Sequence, residues 1–170
     1  MNNGILLSIV IVTWNTKNET VKCLKSLYNS ADLNNLKNSF EIILIDNNSS
    51  DGTSEFVRIN FPEIVLLINE YNTGYAPACN QGMRKANGKY VLLLGSDTEI
   101  KNGALGDCIK YLESHNECAA AGGKLLFPDG RLQGNCKKFP TLKNAFFTYL
   151  SMNSFNSDYD MKYFNYDETI

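Results

Sequence analysis

Polar residues stand directly after four strand-like runs of this sequence, and their side chains carry groups that bind small polar ligands. The four clusters are Thr13-Trp14-Asn15, Asp46-Asn47-Asn48, Asn72-Thr73-Gly74 and Ser96-Asp97. Hydroxyls, amides and carboxylates supply hydrogen bonds, and an indole ring offers an aromatic face to a base. One such cluster is weak evidence, whereas its recurrence at successive strand ends predicts a binding site for a polar ligand.

Trp14 and Asp46 are suited to a nucleoside, since the indole can stack on a base and the carboxylate can accept hydrogen bonds from a base edge or ribose. Both residues also have a purely structural interpretation. Trp14 directly follows an apolar run and could be a core aromatic, and Asp46 could bond the backbone of its own turn. Gly74 either allows a ligand to approach the backbone or serves only as a turn glycine. Asn80 and Arg84 lie about one helical turn apart and face either the same crevice or solvent.

Other nucleotide motifs are lacking, because no G-x-G-x-x-G follows the first strand and no G-x-x-x-x-G-K-[ST] occurs. The single histidine, His115, is predicted on the surface near the end of a helix, which excludes a multi-histidine metal site. Five cysteines without a C-x-x-C pair indicate free, mostly buried thiols in a reducing compartment.

Strand and helix signals alternate along the first two-thirds of the chain, which predicts an α/β fold: a mainly parallel sheet with helices on both faces. The predicted strands are Leu7–Thr13, Phe40–Ile45, Ile64–Ile68 and Tyr90–Leu94, and a hairpin is predicted around Pro128-Asp129-Gly130. Right-handed crossovers bring the carboxyl ends of parallel strands to one edge, where ligands of such folds bind.

Local signals predict the ends and the buried faces of the helices. Thr16 to Glu19 has the spacing of a capping box at a helix start. Gly88 is expected to close a later helix. The predicted buried face of that helix consists of Ala76, Cys79, Met83 and Ala86.

The composition is that of a soluble globular protein, with 170 residues, 44% hydrophobic and 20% charged. A formal net charge of −2 argues against nucleic acid as a partner. The sequence has neither an apolar run of the roughly 20 residues that span a bilayer nor a basic N-terminus typical of a signal peptide. We expect a cytoplasmic protein without a transmembrane segment, with peripheral attachment to the inner face of the membrane as an open alternative.

Three segments match a known family in type and order: Ser8 to Asn15, Asp46 to Thr53, and Asn72 to Gly82. With them the chain resembles the family 2 glycosyltransferases from about Ser8 to Pro140, and is most similar to the rhamnosyltransferase-like branch. The resemblance implies a GT-A (Rossmann-like) fold over residues 1–140 and a nucleoside-diphosphate sugar donor, UDP- or dTDP-linked. It also implies Mg²⁺ or Mn²⁺ as a cofactor and transfer, with inversion, to a glycan or lipid-linked acceptor.

The resemblance also implies which residues meet the donor. The first segment and Asp46 would hold the nucleoside, and Asn72 to Asn80 would face the diphosphate or sugar. The donor-binding residues expected are Thr13, Trp14, Asn15, Asp46, Asn48, Asn72, Gly74, Asn80, Arg84 and Ser96. The family has D-x-D or N-P-D at the metal site, whereas this chain has Gly95-Ser96-Asp97. Asp97 is therefore the expected metal ligand, with Glu99 as a substitute carboxylate.

Nothing in the sequence matches the later acidic segment that carries the family's catalytic base, so the base is left unassigned. Residues 141–170 are predicted to be a helical or poorly ordered tail leading to a missing acceptor-binding segment. Aromatic residues spaced along that tail suggest a homo-oligomer: Phe155, Tyr159 and Tyr163. Two rival functions stay open, a non-catalytic nucleotide-sugar-binding module and a nucleotidyltransferase.

Overall fold

The computed structural model describes residues 4–36 and 39–134. The chain divides after Ala121 into two compact units. The first unit contains β1 (Leu7–Thr13), α1 (Lys17–Asn29), α2 (Ala31–Asn35), β2 (Phe40–Asp46), α3 (Thr53–Asn60), β3 (Val65–Ile68), α4 (Tyr75–Lys85), β4 (Tyr90–Gly95) and α5 (Ala104–Ser114). The second contains β5 (Leu125–Leu126) and β6 (Leu132–Gln133). The predicted domain boundary at residue 140, the tail and its aromatic residues lie outside the described residues.

The four strands of the first unit form one parallel sheet in the order β3-β2-β1-β4. Thr13 pairs with Asp46, and Asp46 pairs with Ile68. On the other side of β1, Val12 pairs with Gly95. This in-register pairing brings all four carboxyl ends to one edge of the sheet. The predicted α/β architecture of the GT-A type is confirmed.

The strand order reverses at β1. The chain moves from β1 outward to β2 and β3, then returns across the sheet to place β4 on the other side of β1. Because parallel crossovers are right-handed, this return puts α4 on the face opposite the earlier helices. Val10, Val12, Ile43 and Ile45 pack against α4, whereas side chains of α1, α2, α3 and α5 join the core on the other face. The predicted helices on both faces are thus present.

α4 lies close to the sheet because small residues face it. Ala78, Cys79 and Gly82 are its buried residues, and a Cβ at Gly82 would stand 2.3 Å from Val10 Cγ1. The predicted buried face is wrong in part, since Ala76 is exposed and Met83 is 40% exposed. Hydrophobic periodicity does not count Gly82, but the close approach of this helix to the sheet turns the face with Ala78 and Gly82 inward and leaves Ala76 and Met83 outside.

Two other local expectations are also corrected. Thr16 stands at the N-cap of α1, but its side chain makes no capping bond. α4 ends at the C-cap Ala86, and the Gly88 amide donates to Ser8 Oγ at 2.8 Å instead of closing the helix. The segment between α1 and β2 contains the short helix α2, which begins where Ser30 Oγ accepts a bond from the Asp32 amide at 3.2 Å.

The predicted hairpin is present in the second unit. β5 and β6 pair antiparallel, and Gly130 has φ of 84° in the connecting turn. The Arg131 amide donates to Asp129 Oδ1 at 3.0 Å. This aspartate therefore bonds the backbone of its own turn, as the Pro-Asp-Gly sequence indicates.

The cysteines that the structure describes are free thiols, and the single histidine packs against an aromatic ring. Cys23 and Cys79 are buried, Cys108 and Cys118 are partly buried, and all four are free thiols. His115 follows α5 and stacks on Tyr111 with ring centroids 4.0 Å apart. None of the helices in the described residues is both long and apolar enough to cross a membrane.

Candidate functional site

The carboxyl ends of β1 and β4 flank the point where the strand order reverses, which is where α/β sheets bind ligands. Four hydroxyls connect these ends. Thr16 Oγ1 lies 3.2 Å from Ser96 Oγ and 2.9 Å from Thr13 Oγ1. Thr13 Oγ1 lies 2.8 Å from Thr20 Oγ1 of α1. Since Thr13 is only 1% exposed, its hydroxyl joins the strand to the helix beneath the site.

Trp14 lies at the surface of this edge and is 54% exposed. Its interpretation as a core aromatic is therefore wrong. The residue directly follows β1, whose seven residues are all buried. An indole left half exposed next to a buried polar framework is available to stack on a ligand.

Asp46 has a buried carboxylate that bonds the loop after β2. The side chain is 1% exposed. Its Oδ1 accepts the Ser49 amide at 2.8 Å, and its Oδ2 accepts the Ser54 hydroxyl. Asp46 thus performs the turn-forming role that the sequence left as an alternative, at the edge predicted for the nucleoside.

The loops after β1 and β2 are bonded to each other. Asn15 has φ of 52°, and its Oδ1 accepts the Ser50 amide at 2.8 Å. The Asn15 amide donates to Ser49 Oγ at 2.9 Å. Asn48 is exposed on the same loop with φ of 69°. These contacts form a fixed surface beside Trp14.

Asp51 strengthens the connection between the same two loops. Its Oδ2 accepts the Lys17 amide at 2.9 Å, and its Oδ1 accepts the Thr53 amide at 3.1 Å. Burial acts to raise the pKa of Asp51, but the hydrogen bonds from Thr53 and from the Lys17 amide outweigh it and hold the pKa below its ordinary value.

Asn47 is a buried residue at this candidate site that the family resemblance does not single out. It is 2% exposed, and its amide group bonds side chains and backbone of the loop between β3 and α4. The resemblance implies its neighbour Asn48 as a donor-binding residue instead. The position of Asn47 directly after a buried strand is a sequence signal for a residue at this edge. The sequence does not show which of the two adjacent asparagines faces the loop between β3 and α4.

The loop after β3 leads into the N-terminus of α4 at the same edge. Gly74 occupies the N-cap with φ of 86°, and its amide donates to Asn72 Oδ1 at 2.9 Å. The free amides and dipole of a helix N-terminus favour an anion. Asn80 is exposed midway along the helix. Arg84 lies in the last turn, about 13 Å along the axis from the first residue, so α4 does not bring it to this edge.

Asp97 and Glu99 place negative charge beyond the end of β4. Both are exposed. Burial, followed by the charges of Asp97 and then Glu99, raises the pKa of the Cys23 thiol to about 12. Burial raises the pKa of Tyr75, with further contributions from Cys79 and the charge of Asp97. Asp97 therefore lies close enough to the first turn of α4 for its charge to act there.

The acidic end of β4 fits a divalent cation only in part. No group of three or more His, Cys, Asp or Glu side chains gathers within the described ranges. A Cβ at Gly95 would stand 2.7 Å from Asp97 Oδ1, so this glycine leaves the space that the Asp97 carboxylate occupies. Mg²⁺ and Mn²⁺ prefer oxygen ligands and often keep substrate phosphates and water in their shell. One or two carboxylates suffice for that kind of site.

A parallel sheet with polar groups around its switch point is typical of α/β domains that bind small ligands at that edge. The sequence profile described as Glycosyl transferase family 2 matches residues 8–161. The chain therefore belongs to glycosyltransferase family 2.

Named relatives agree with this membership. The chain is 30% identical over 158 residues to an uncharacterized glycosyltransferase of Haemophilus influenzae, a match covering 90% of this chain and 60% of that protein. It is 32% identical over 115 residues to abequosyltransferase RfbV of Salmonella typhimurium, covering 65% and 33% respectively. It spans 15%, 18% and 28% of the length of three further relatives, two from Rickettsia and one from Escherichia coli.

A solved structure shares the fold. Residues 1–349 of TarS from S. aureus, in complex with UDP-GlcNAc, superpose with a TM-score of 0.57 at 25% identity. The match covers 66% of this chain and 32% of that chain.

Proposed function

We propose that this chain binds the nucleoside-diphosphate sugar donor of a glycosyltransferase reaction. The observation that carries the proposal is the half-exposed Trp14 at the switch point, beside two loops bonded to each other through Asn15. An aromatic face next to a rigid polar surface suits a base and ribose. A relative of similar fold is named as a complex with UDP-GlcNAc, which supports a UDP- or dTDP-linked donor.

The diphosphate is assigned to the edge between Gly74 and Ser96. The N-terminus of α4 begins there at Gly74, and oriented helix amides stabilise phosphate oxygens. Asn72 Oδ1 accepts from both Asn47 Nδ2 and the Gly74 amide, at 2.7 and 2.9 Å, so this entry to the helix is held in place before a ligand binds. Asn80 lies farther along α4 and is assigned to the sugar side.

Asp97 would hold Mg²⁺ or Mn²⁺, with Glu99 as a second carboxylate. The bound cation would neutralise negative charge on the leaving diphosphate. Asp97 is exposed at the end of β4 and influences Tyr75 electrostatically, which supports placing the cation between β4 and α4.

The reaction we propose is an inverting transfer to a glycan or lipid-linked acceptor. The acceptor hydroxyl attacks the anomeric carbon, its proton passes to a base, and the bond to the nucleoside diphosphate breaks. The chain's own residues hold the donor and orient its anomeric carbon. We assign no base among the described residues, and transfer is proposed for the whole protein.

A thermal-shift and calorimetric screen of UDP, dTDP and GDP and their sugars, with and without Mn²⁺, tests the proposal. We expect one nucleoside diphosphate and its sugar to raise the melting temperature of the chain, because a ligand that binds only the folded state stabilises it. No binding by any of them would contradict the proposed function. Two incubations of the whole protein then separate the rivals, one with donor and acceptor and one with a nucleoside triphosphate and a sugar phosphate. A glycosyltransferase releases nucleoside diphosphate in the first, a nucleotidyltransferase releases pyrophosphate in the second, and a binding module releases neither.

A further inference from the structure

Two adjacent residues at the end of β2 bond different loops. The Asp46 carboxylate bonds Ser49 and Ser54 on the β2–α3 side. The Asn47 amide bonds Asn69, Asn72 and Thr73 on the β3–α4 side. We propose that Asn47 is a positioning residue that sets the diphosphate-sugar half of the site separately from the nucleoside half. This inference rests on the proposed function.

Both ends of the Asn47 amide are used. Its Nδ2 donates to Asn72 Oδ1 at 2.7 Å and to the Gly74 carbonyl at 3.3 Å. Its Oδ1 accepts the Asn69 side chain at 2.9 Å, and the Thr73 amide and hydroxyl at 3.0 and 3.1 Å. A side chain that is 2% exposed and bonded to four residues of one loop determines the conformation of that loop.

This arrangement requires an amide. An ionised aspartate only accepts hydrogen bonds, so it could retain the bonds from Asn69 and Thr73 but would lose the donation to Asn72 and Gly74. The lost bonds are the ones nearest the start of α4. Asn72 Oδ1 connects them to the helix, because it also accepts the Gly74 amide at 2.9 Å.

The network continues from the loop to α4 itself. Gln81 Nε2 donates to Asn69 Oδ1 at 2.9 Å, and Asn69 in turn donates to Asn47. The helix that presents its N-terminus to the diphosphate is thereby joined to the end of β2. Within the described residues, no side-chain bond of Asn47 reaches the Ser49–Ser54 turn.

Asn47→Asp and Asn47→Ala test the inference through two ligands. The probes are the monophosphate and the diphosphate sugar of whichever nucleoside stabilises the wild-type chain most. We expect affinity for the diphosphate sugar to fall about tenfold, the equivalent of about one lost hydrogen bond, while monophosphate affinity changes less than about twofold. Asn69→Ala removes one bond to Asn47 and the bond from Gln81 that connects the network to α4. It should shift the same ratio in the same direction and serves if Asn47→Ala does not fold.

Ser8→Ala is the matched control. Ser8 is also fully buried and bonds Glu41 and the Gly88 amide, but it lies near the amino end of β1. This variant should lower the melting temperature and leave the ratio of the two affinities unchanged. An equal loss for both ligands in the Asn47 variants, or a ratio that moves in Ser8→Ala as well, would overturn the inference alone. Failure of the wild-type chain to bind either ligand would overturn the proposed function and the inference with it.

Discussion

Asn15 Oδ1 accepts a hydrogen bond from the Ser50 amide at 2.8 Å, joining two loops whose residues are 35 positions apart in the chain. Asn15 adopts φ of 52° to make this contact. Left-handed backbone is unfavourable for most residues but accessible to asparagine. The surface beside Trp14 therefore depends on Asn15, because this residue both adopts the left-handed backbone and supplies the side-chain oxygen that bonds Ser50.

Asn15→Gly and Asn15→Ala separate those two requirements. Glycine keeps the left-handed conformation and loses the side-chain bonds, so we expect a cost of about 1 kcal/mol in the free energy of unfolding. Alanine loses the bonds and also strains the backbone, so about 1 kcal/mol more is expected. Urea unfolding of the three proteins measures the difference, and equal stability of the two variants would contradict the backbone part of the argument.

Trp14→Ala should weaken nucleotide binding without much change in stability, because the indole is 54% exposed. Asp46→Ala should weaken binding and stability together, since its buried carboxylate holds Ser49 and Ser54. Loss of such a buried partner costs about 1–3 kcal/mol. Calorimetry and thermal unfolding provide the two readouts. Ile59→Ala, at a position 67% exposed on α3, is the surface control, and unchanged affinity in both site variants would remove the base site proposed here.

Gly82→Ala should destabilise the first unit although alanine is the better helix former. The new Cβ would stand 2.3 Å from Val10 Cγ1 and 2.8 Å from Ile45 Cδ1. Overpacking of this kind costs about 1–3 kcal/mol, more than the gain in helix propensity of about 1 kcal/mol. Gly122→Ala is the control, because nothing lies within 4 Å of its Cβ. A melting temperature for Gly82→Ala equal to the wild type would show that α4 can move off the sheet.

Asp51 should make stability depend on pH in the acid range. Its pKa is held below the ordinary value of 3.8 in the folded chain. A lowered folded-state pKa stabilises the protein fully above the unfolded value and loses that contribution as pH falls through the folded pKa. The stability difference between wild type and Asp51→Asn should therefore be constant near neutral pH and shrink below about pH 4. Urea unfolding across that range checks the sign, and a difference that grows on acidification would contradict it.

Asp97→Asn should abolish the Mn²⁺ enhancement of donor binding and leave metal-free binding nearly intact. The reason is that Asp97 lies two residues after the end of β4 and acts electrostatically on the first turn of α4. Glu99→Gln is the matched variant two residues away. Calorimetry with and without Mn²⁺ distinguishes them: loss of the enhancement in Glu99→Gln but not in Asp97→Asn would reassign the ligand.

Much of the fold was predictable because buried parallel strands have a strong sequence signal. All seven residues of β1 are buried, and its β-branched run indicates a central strand. The apolar run of β4 does not show that Val91 and Leu93 remain 43% and 45% exposed on one face. Burial of that face depends on which element lies against it, and α4 packs over β1 and β2 instead.

Helix ends were less predictable, because a polar side chain with several possible partners takes the one that the tertiary structure brings near. The Thr16 hydroxyl has the spacing of a capping box but bonds Thr13 and Ser96. Ser96 lies 80 positions away in the chain, so its proximity is a consequence of the pairing between β1 and β4. Local sequence cannot contain that information.

The sequence by itself determined that polar residues end four strands and that the chain resembles family 2 glycosyltransferases, since strand patterns and family motifs are local properties. Only the tertiary structure decided which of those residues are exposed at that edge and which are buried in the framework beneath it. Asn47 and Asn48 are adjacent and chemically identical, yet one is 2% exposed and the other lies at the surface. The difference arises because Asn47 meets Asn69 and Asn72, 22 and 25 positions away, and hydrogen bonds over such separations form only once the strands have paired.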